Sequence, residues 1–117
     1  MIGVFGGTFN PIHYGHLRTA VEVKALLALD QVRLIPCKLP PHREQPDVSG
    51  EMRFAMVQLA VAEVDGLIAD RCELDRQGPS YMVDTLQTLK QQFPEQALVL
   101  MIGGDAFLGL ERWYQFV

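Results

Sequence analysis

The stretch Ile2-Gly3-Val4-Phe5-Gly6-Gly7-Thr8-Phe9-Asn10-Pro11-Ile12-His13-Tyr14-Gly15-His16 decides the fold. Ile2 to Phe5 is a short apolar run closed by two glycines, which reads as a buried strand. Gly6-Gly7 lets the backbone turn tightly and approach a ligand closely, and Asn10-Pro11 fixes a second bend. His13 and His16 then fall at the start of a helix. A helix N-terminus presents unpaired N–H groups and the positive end of its dipole, so phosphate is its natural ligand. The glycines do not form G-x-G-x-x-G, and no G-K-[S/T] follows them, which counts against a simple dinucleotide-binding or P-loop reading. From the residues alone, three readings of the histidines stay open: ordinary helix-start residues, donors to phosphate, or zinc ligands. Zinc would need further donors from His42, Cys37, Cys72 or carboxylates.

Outward from this turn, apolar runs alternate with helical patterns to the end of the chain. Leu17, Val21, Ala25 and Ala28 recur at helical spacing, predicting an amphipathic helix over about 15–29. Val32 to Ile35 reads as a second strand stopped by Pro36. Cys37 to Ser49 holds Pro40, Pro41 and Pro46 and reads as an irregular loop. Met52, Ala55, Met56 and Leu59 mark a second helix, with Ser49 as N-cap and Glu51 in its first turn. Gly66 to Ala69 reads as a short strand. Met82, Leu86, Leu89 and Phe93 mark a third helix, opened by Gly78-Pro79-Ser80 and closed before Pro94. Leu98 to Ile102 reads as a further strand. Strands apolar throughout and separated by helices imply a parallel sheet covered on both faces: an α/β, Rossmann-like, doubly wound layer. Ligands in such sheets bind beyond the carboxyl ends of the strands, at the switch point. Gly6-Gly7 and Gly103-Gly104-Asp105 fall at two such ends.

The 117 residues suffice for one domain. An apolar fraction of 49% with 21% charged residues fits a globular core. The net charge of −4 argues against a nucleic-acid binder that works through a broad basic surface. No apolar run approaches the roughly 20 residues of a membrane helix, and no secretory signal is visible. The two cysteines form no C-x-x-C and read as reduced thiols of a cytoplasmic protein, with a disulfide or metal role as the alternative.

Four later stretches carry chemistry. Pro40-Pro41-His42-Arg43 is a stiffened loop bearing cations; it is either solvated or a phosphate-contacting lid, since Arg holds phosphate bidentately. Gly78-Pro79-Ser80-Tyr81-Met82 is a turn leading into a helix. Ile102-Gly103-Gly104-Asp105 allows close backbone approach, and its carboxylate suits sugar hydroxyls or a helix N-cap. Trp113-Tyr114 is an aromatic pair fit either for packing or for stacking on a flat ring.

Gly6 to His16, with His13-Tyr14-Gly15-His16 at its end, resembles the H-x-G-H signature of the nucleotidyltransferase superfamily, and within it the bacterial nicotinate mononucleotide adenylyltransferases. The four later stretches occur in that family's order with similar gaps. The family often has Asp where this chain has Asn10, and Thr where it has Met82; a thioether cannot replace a hydroxyl donor. The resemblance implies adenylyl transfer from ATP, with Mg²⁺, to nicotinate mononucleotide in NAD biosynthesis. It implies His13 and His16 as the catalytic donors. It implies Gly6, Gly7, Thr8, Phe9, Gly103 and Asp105, with the two histidines, as ATP-binding residues. His42, Arg43, Tyr81, Trp113 and Tyr114 would bind the nicotinate nucleotide. No residue is assigned as a metal ligand, and neither nucleic acid nor membrane is an expected partner. The alternatives are a related transferase with another acceptor, such as nicotinamide mononucleotide or phosphopantetheine, and a non-catalytic nucleotide-binding module.

The family's I-S-x-T-x-I-R type phosphate motif does not occur in residues 1–117. The chain is therefore expected to be one incomplete nucleotidyltransferase-like domain, truncated at its C-terminus and weakly stable or inactive alone. A purified 117-residue chain with the specific activity of a full-length homologue would contradict this.

Overall fold

The computed structural model describes residues 1–7, 9, 12, 14–37, 49–76 and 82–101. Its elements are β1 (Ile2–Gly7), α1 (Tyr14–Leu26), β2 (Gln31–Pro36), α2 (Gly50–Val61), β3 (Leu67–Ala69), α3 (Cys72–Asp75), α4 (Met82–Gln92) and β4 (Leu98–Met101). The four strands form one sheet in the order β3-β2-β1-β4, parallel at every pairing. The order runs from β1 to β2 to β3 and then returns to the other side of β1, so the switch point lies between β1 and β4. This is the doubly wound arrangement the apolar strands imply.

Register and pleat divide the core into two layers. Gly3, Val32, Leu67 and Val99 are aligned across the sheet, as are Phe5, Leu34, Ala69 and Met101. Side chains of these rows pack with Ala20 and Leu17 of α1 and with Val57 and Val61 of α2. The alternate positions Val4, Ile35, Leu98 and Leu100 pack instead with Met82, Leu86 and Leu89 of α4 and with Cys72 of α3. Helices α1 and α2 therefore cover one face and α3 and α4 the other, as consistently handed crossovers require when the strand order reverses. At the centre, Val4, Val32, Leu34, Ile35 and Leu89 are fully buried.

Two helices turn a different side inward from the one their periodicity suggests. In α1, Ala20 is buried and Leu17 and Val23 pack against the core, while Val21 and Ala25 are exposed. The helix also stops at Leu26 rather than near residue 29. The stop is a Schellman motif: Leu29 N–H donates to Lys24 O at 2.9 Å and Ala28 N–H to Ala25 O at 3.3 Å. Ala28 takes the left-handed conformation, φ 53°, and Leu29 turns into the core. Glycine normally marks such a stop, and its absence hid the helix end. In α2, Arg53, Phe54, Val57 and Val61 point inward, whereas Met52 and Leu59 are 58% and 80% exposed. A charged residue concealed the inner face. Arg53 is buried because its guanidinium donates to the carbonyl of Cys37, at 3.0 Å, just beyond β2.

Other sequence expectations hold. Ser49 caps α2, its Oγ accepting from Met52 N–H at 3.2 Å. The Met82, Leu86, Leu89 and Phe93 stripe packs on the sheet. The short helix α3 has no counterpart in the sequence reading, and the proposed N-cap at Ser80 lies outside the described residues.

Ala28 in the left-handed region carries a β-carbon penalty that glycine lacks. Ala28→Gly is therefore expected to stabilise the chain by roughly 0.5–1 kcal/mol in urea unfolding, where the same change inside a helix would destabilise it.

Candidate active site

The carboxyl end of β1 lies at the switch point, where open α/β sheets bind ligands. Ile2, Gly3 and Val4 are buried, but Phe5, Gly6 and Gly7 emerge into partial exposure. Cys37 N–H donates to Gly7 O at 2.8 Å, tying the exit of β2 to the same place. The strand end is thus held on one side by β2 and on the other by the β4 pairing, which reaches Phe5.

Beyond it, Phe9 adopts φ 49° and is only 3% exposed. A left-handed phenylalanine is strained, and such strain persists only where surroundings over-determine it. Here the ring is wedged edge-on against Phe5, with centroids 5.6 Å apart, and against His16 at 5.0 Å. His16 also meets Phe5 edge-on at 6.2 Å. The three rings fix the first turn of α1 over the end of β1. Phe9 has its ring in the core.

Gly6 and Gly7 differ in the room they leave for a side chain, Gly6 being tight and Gly7 allowing ordinary contact. A β-carbon at Gly6 would lie 2.7 Å from Met82 Cε, the first residue of α4. At Gly7 it would meet the Phe9 ring at 3.4 Å. Met82, notable in the sequence as a departure from Thr, therefore packs on the floor of the turn.

The structure thus brings together Gly6, Gly7, Phe9 and His16 of the predicted site. Thr8, His13, His42, Arg43, Tyr81, Gly103, Asp105, Trp113 and Tyr114 lie outside the described residues. Among the described residues, no group of three or more His, Cys, Asp or Glu could hold a metal ion. No described helix is long and apolar enough to cross a membrane. Cys37 and Cys72 are not in a disulfide. Burial, with Asp70 beside it, pushes the Cys72 thiol up to about 12, so it is no thiolate nucleophile near neutral pH.

Residues 4–117 match the family model described as cytidylyltransferase-like. The chain belongs to the cytidylyltransferase-like family. A Methylococcus capsulatus protein named "Probable nicotinate-nucleotide adenylyltransferase" is 49% identical to this cytidylyltransferase-like chain over 117 residues, 99% of this chain and 56% of the relative. A Pseudomonas aeruginosa protein of the same name is 49% identical over 116 residues, 98% of this chain and 54% of its own. This family member therefore spans a little over half the length of these relatives. Among solved structures, Plasmodium falciparum nicotinic acid mononucleotide adenylyltransferase complexed with NaAD superposes with a TM-score of 0.81 at 18% identity, over 97% of this chain and 57% of that one. At that identity the likeness is one of fold.

Gly6→Ala should destabilise the chain by no more than about 1 kcal/mol, because the Met82 methyl it meets ends a flexible side chain that can swing aside. Met82→Ala should relieve what remains, so the double mutant should show a favourable coupling of up to about 0.5 kcal/mol in urea unfolding. Strict additivity would show that the two residues do not touch.

Proposed function

We propose that the protein is a nucleotidyltransferase that moves the adenylyl group of ATP to nicotinate mononucleotide, forming nicotinate adenine dinucleotide and pyrophosphate in NAD biosynthesis. Residues 1–117 are read as part of its catalytic domain, and its place as the cytoplasm. The observation that carries the reading is the 49% identity along nearly the whole chain to proteins named for that reaction. The glycine turn and His16 at the β1 end of the switch point support it.

In this reading the acceptor phosphate attacks the α-phosphorus of ATP in line. One oxygen–phosphorus bond forms as the α–β bridge breaks, and pyrophosphate leaves. The attacking oxygen is already ionised, so no protein nucleophile is needed and catalysis is positioning plus charge neutralisation. His13 and His16 donate to the ATP phosphates. The backbone of Gly6, Gly7, Thr8 and Phe9, with the start of α1, cradles them. Gly103 and Asp105 serve the ribose. His42, Arg43, Tyr81, Trp113 and Tyr114 hold the nicotinate nucleotide. The described residues at the β1 end carry no carboxylate and so do not form a Mg²⁺ site of their own. Mg²⁺ would enter with ATP, held mostly by the phosphates and water, and would supply charge neutralisation.

The test is pyrophosphate release from the longest available form of the protein with ATP and Mg²⁺. Nicotinate mononucleotide, nicotinamide mononucleotide and phosphopantetheine are supplied in parallel. Release is expected with nicotinate mononucleotide. His16→Ala should lower kcat by about 10²–10³-fold, as loss of a transition-state donor does. Release with another acceptor would move the substrate assignment. A folded protein that releases none with any acceptor would favour a nucleotide-binding module.

A further inference from the structure

A polar network, buried at Glu73 and Thr85 and half-buried at Arg76, links α3 and the residue after it to α4 on the face of the sheet that carries Met82. The hydroxyl of Thr85, fully buried, donates to Glu73 Oε2 at 2.8 Å, and Glu73 is itself only 4% exposed. The same hydroxyl accepts from Arg76 Nη1 at 3.1 Å. Arg76 Nη2 donates in turn to the hydroxyl of Thr88 at 3.2 Å, one turn further along α4. Thr85 thus gives its single proton to the carboxylate and takes the guanidinium on its lone pair, which satisfies a hydroxyl in both directions.

A carboxylate such as that of Glu73 is expensive to bury, and replacing such a group by an apolar residue is often neutral or stabilising. Simple packing therefore does not explain the network. Its geometry suggests what it does. Thr85 lies one turn after Met82, the residue whose methyl meets the turn at Gly6. The forked guanidinium grips two successive turns of α4 and so fixes the helix in both rotation and translation. A shift of α4 along its axis or a roll about it would carry Met82 off Gly6.

We propose that Glu73, Thr85 and Arg76 are positioning residues. They lock the first turn of α4 against Gly6 and thereby set the acceptor side of the site. The last step rests on the function proposed above, in which Tyr81, next to Met82, holds the acceptor; the locking of Met82 does not.

The test uses the longest available form with methyl-labelled methionine, the Met82 signal being assigned by its loss in Met82→Leu. Thr85→Val keeps the shape and removes the hydroxyl; Thr85→Ser restores it. Thr85→Val is expected to shift the Met82 methyl signal and abolish its contact with Gly6 protons, and Thr85→Ser to return both. In turnover, Thr85→Val should raise the KM for the acceptor by about tenfold, because a displaced first turn of α4 weakens acceptor binding. The KM for ATP should change by less than about threefold, and Thr85→Ser should recover the parent value. If Thr85→Val does not fold, Thr88→Val, which removes one arm of the Arg76 fork, should shift the same signal by a smaller amount. An unchanged Met82 signal in a folded variant overturns the lock. A shifted signal with equal effects on both KM values overturns the acceptor-side role. A parent protein without turnover sinks the functional reading, and the methyl signal still decides the lock.

Discussion

The structure depends on β1 being hydrogen-bonded along both edges, to β2 on one side and β4 on the other. That double pairing makes β1 the place where the strand order reverses. Parallel strands cannot be joined by tight turns, so each must be followed by a crossover. At a reversal, the crossovers diverge and leave a crevice at the carboxyl end. Gly6 and Gly7 stand at its edge, and the rings of Phe5, Phe9 and His16 determine how the chain leaves the strand. A buried strand, a strained phenylalanine and a histidine in a helix's first turn thus form one continuous piece of structure.

Around this centre, arginines make the joints between elements. Arg53 ties α2 to the end of β2 through the Cys37 carbonyl. Arg33, on β2, pairs with Asp70 at 2.8 Å with both side chains mostly buried, and its guanidinium also lies over the Phe93 ring at 5.2 Å. Asp70 in turn accepts from the N–H of Cys72 and so starts α3. Each of these arginines reaches an oxygen in a segment that follows another element, Cys37 after β2 and Asp70 after β3, which a planar group with five donors does better than a single ammonium.

The sheet was legible because its signal is one-dimensional. Four apolar runs separated by helix-length segments admit few arrangements, and the glycine turn locates the ligand end without coordinates. The stripe on α4 was legible because, among the described long helices, α4 has the most strongly contrasted faces. The inner sides of α1 and α2 were not. Exposed Val21, Met52 and Leu59 are as apolar as the residues that are buried, and in α2 the inward position is taken by an arginine whose partner is a carbonyl sixteen residues away. The end of α1 was missed because alanine occupies a place where glycine is the usual marker. The candidate site was legible as a motif only in that Gly6, Gly7 and His16, close in sequence, are also close in space. The packing of Met82 on Gly6 was not, because it joins two elements far apart in the chain, and the Glu73–Thr85–Arg76 network was not, because α3 spans only Cys72–Asp75.

The two core layers are built from different materials. The α1/α2 layer meets the sheet through Phe9, Ala20, Leu29, Val32, Leu34, Val57, Val61 and Leu67, all aliphatic but Phe9, with Arg53 the one buried charge among its described residues. The α3/α4 layer is threaded by Arg33, Asp70, Glu73, Arg76 and Thr85. Aliphatic packing tolerates exchange of one side chain for another of similar volume, provided a neighbour compensates. A hydrogen-bonded relay does not, since losing any member strands the rest. Under mutation and drift, the first layer can wander through many solutions by small steps. The second must change several residues together or stay as it is, so the two sides of one sheet are set to evolve at different speeds.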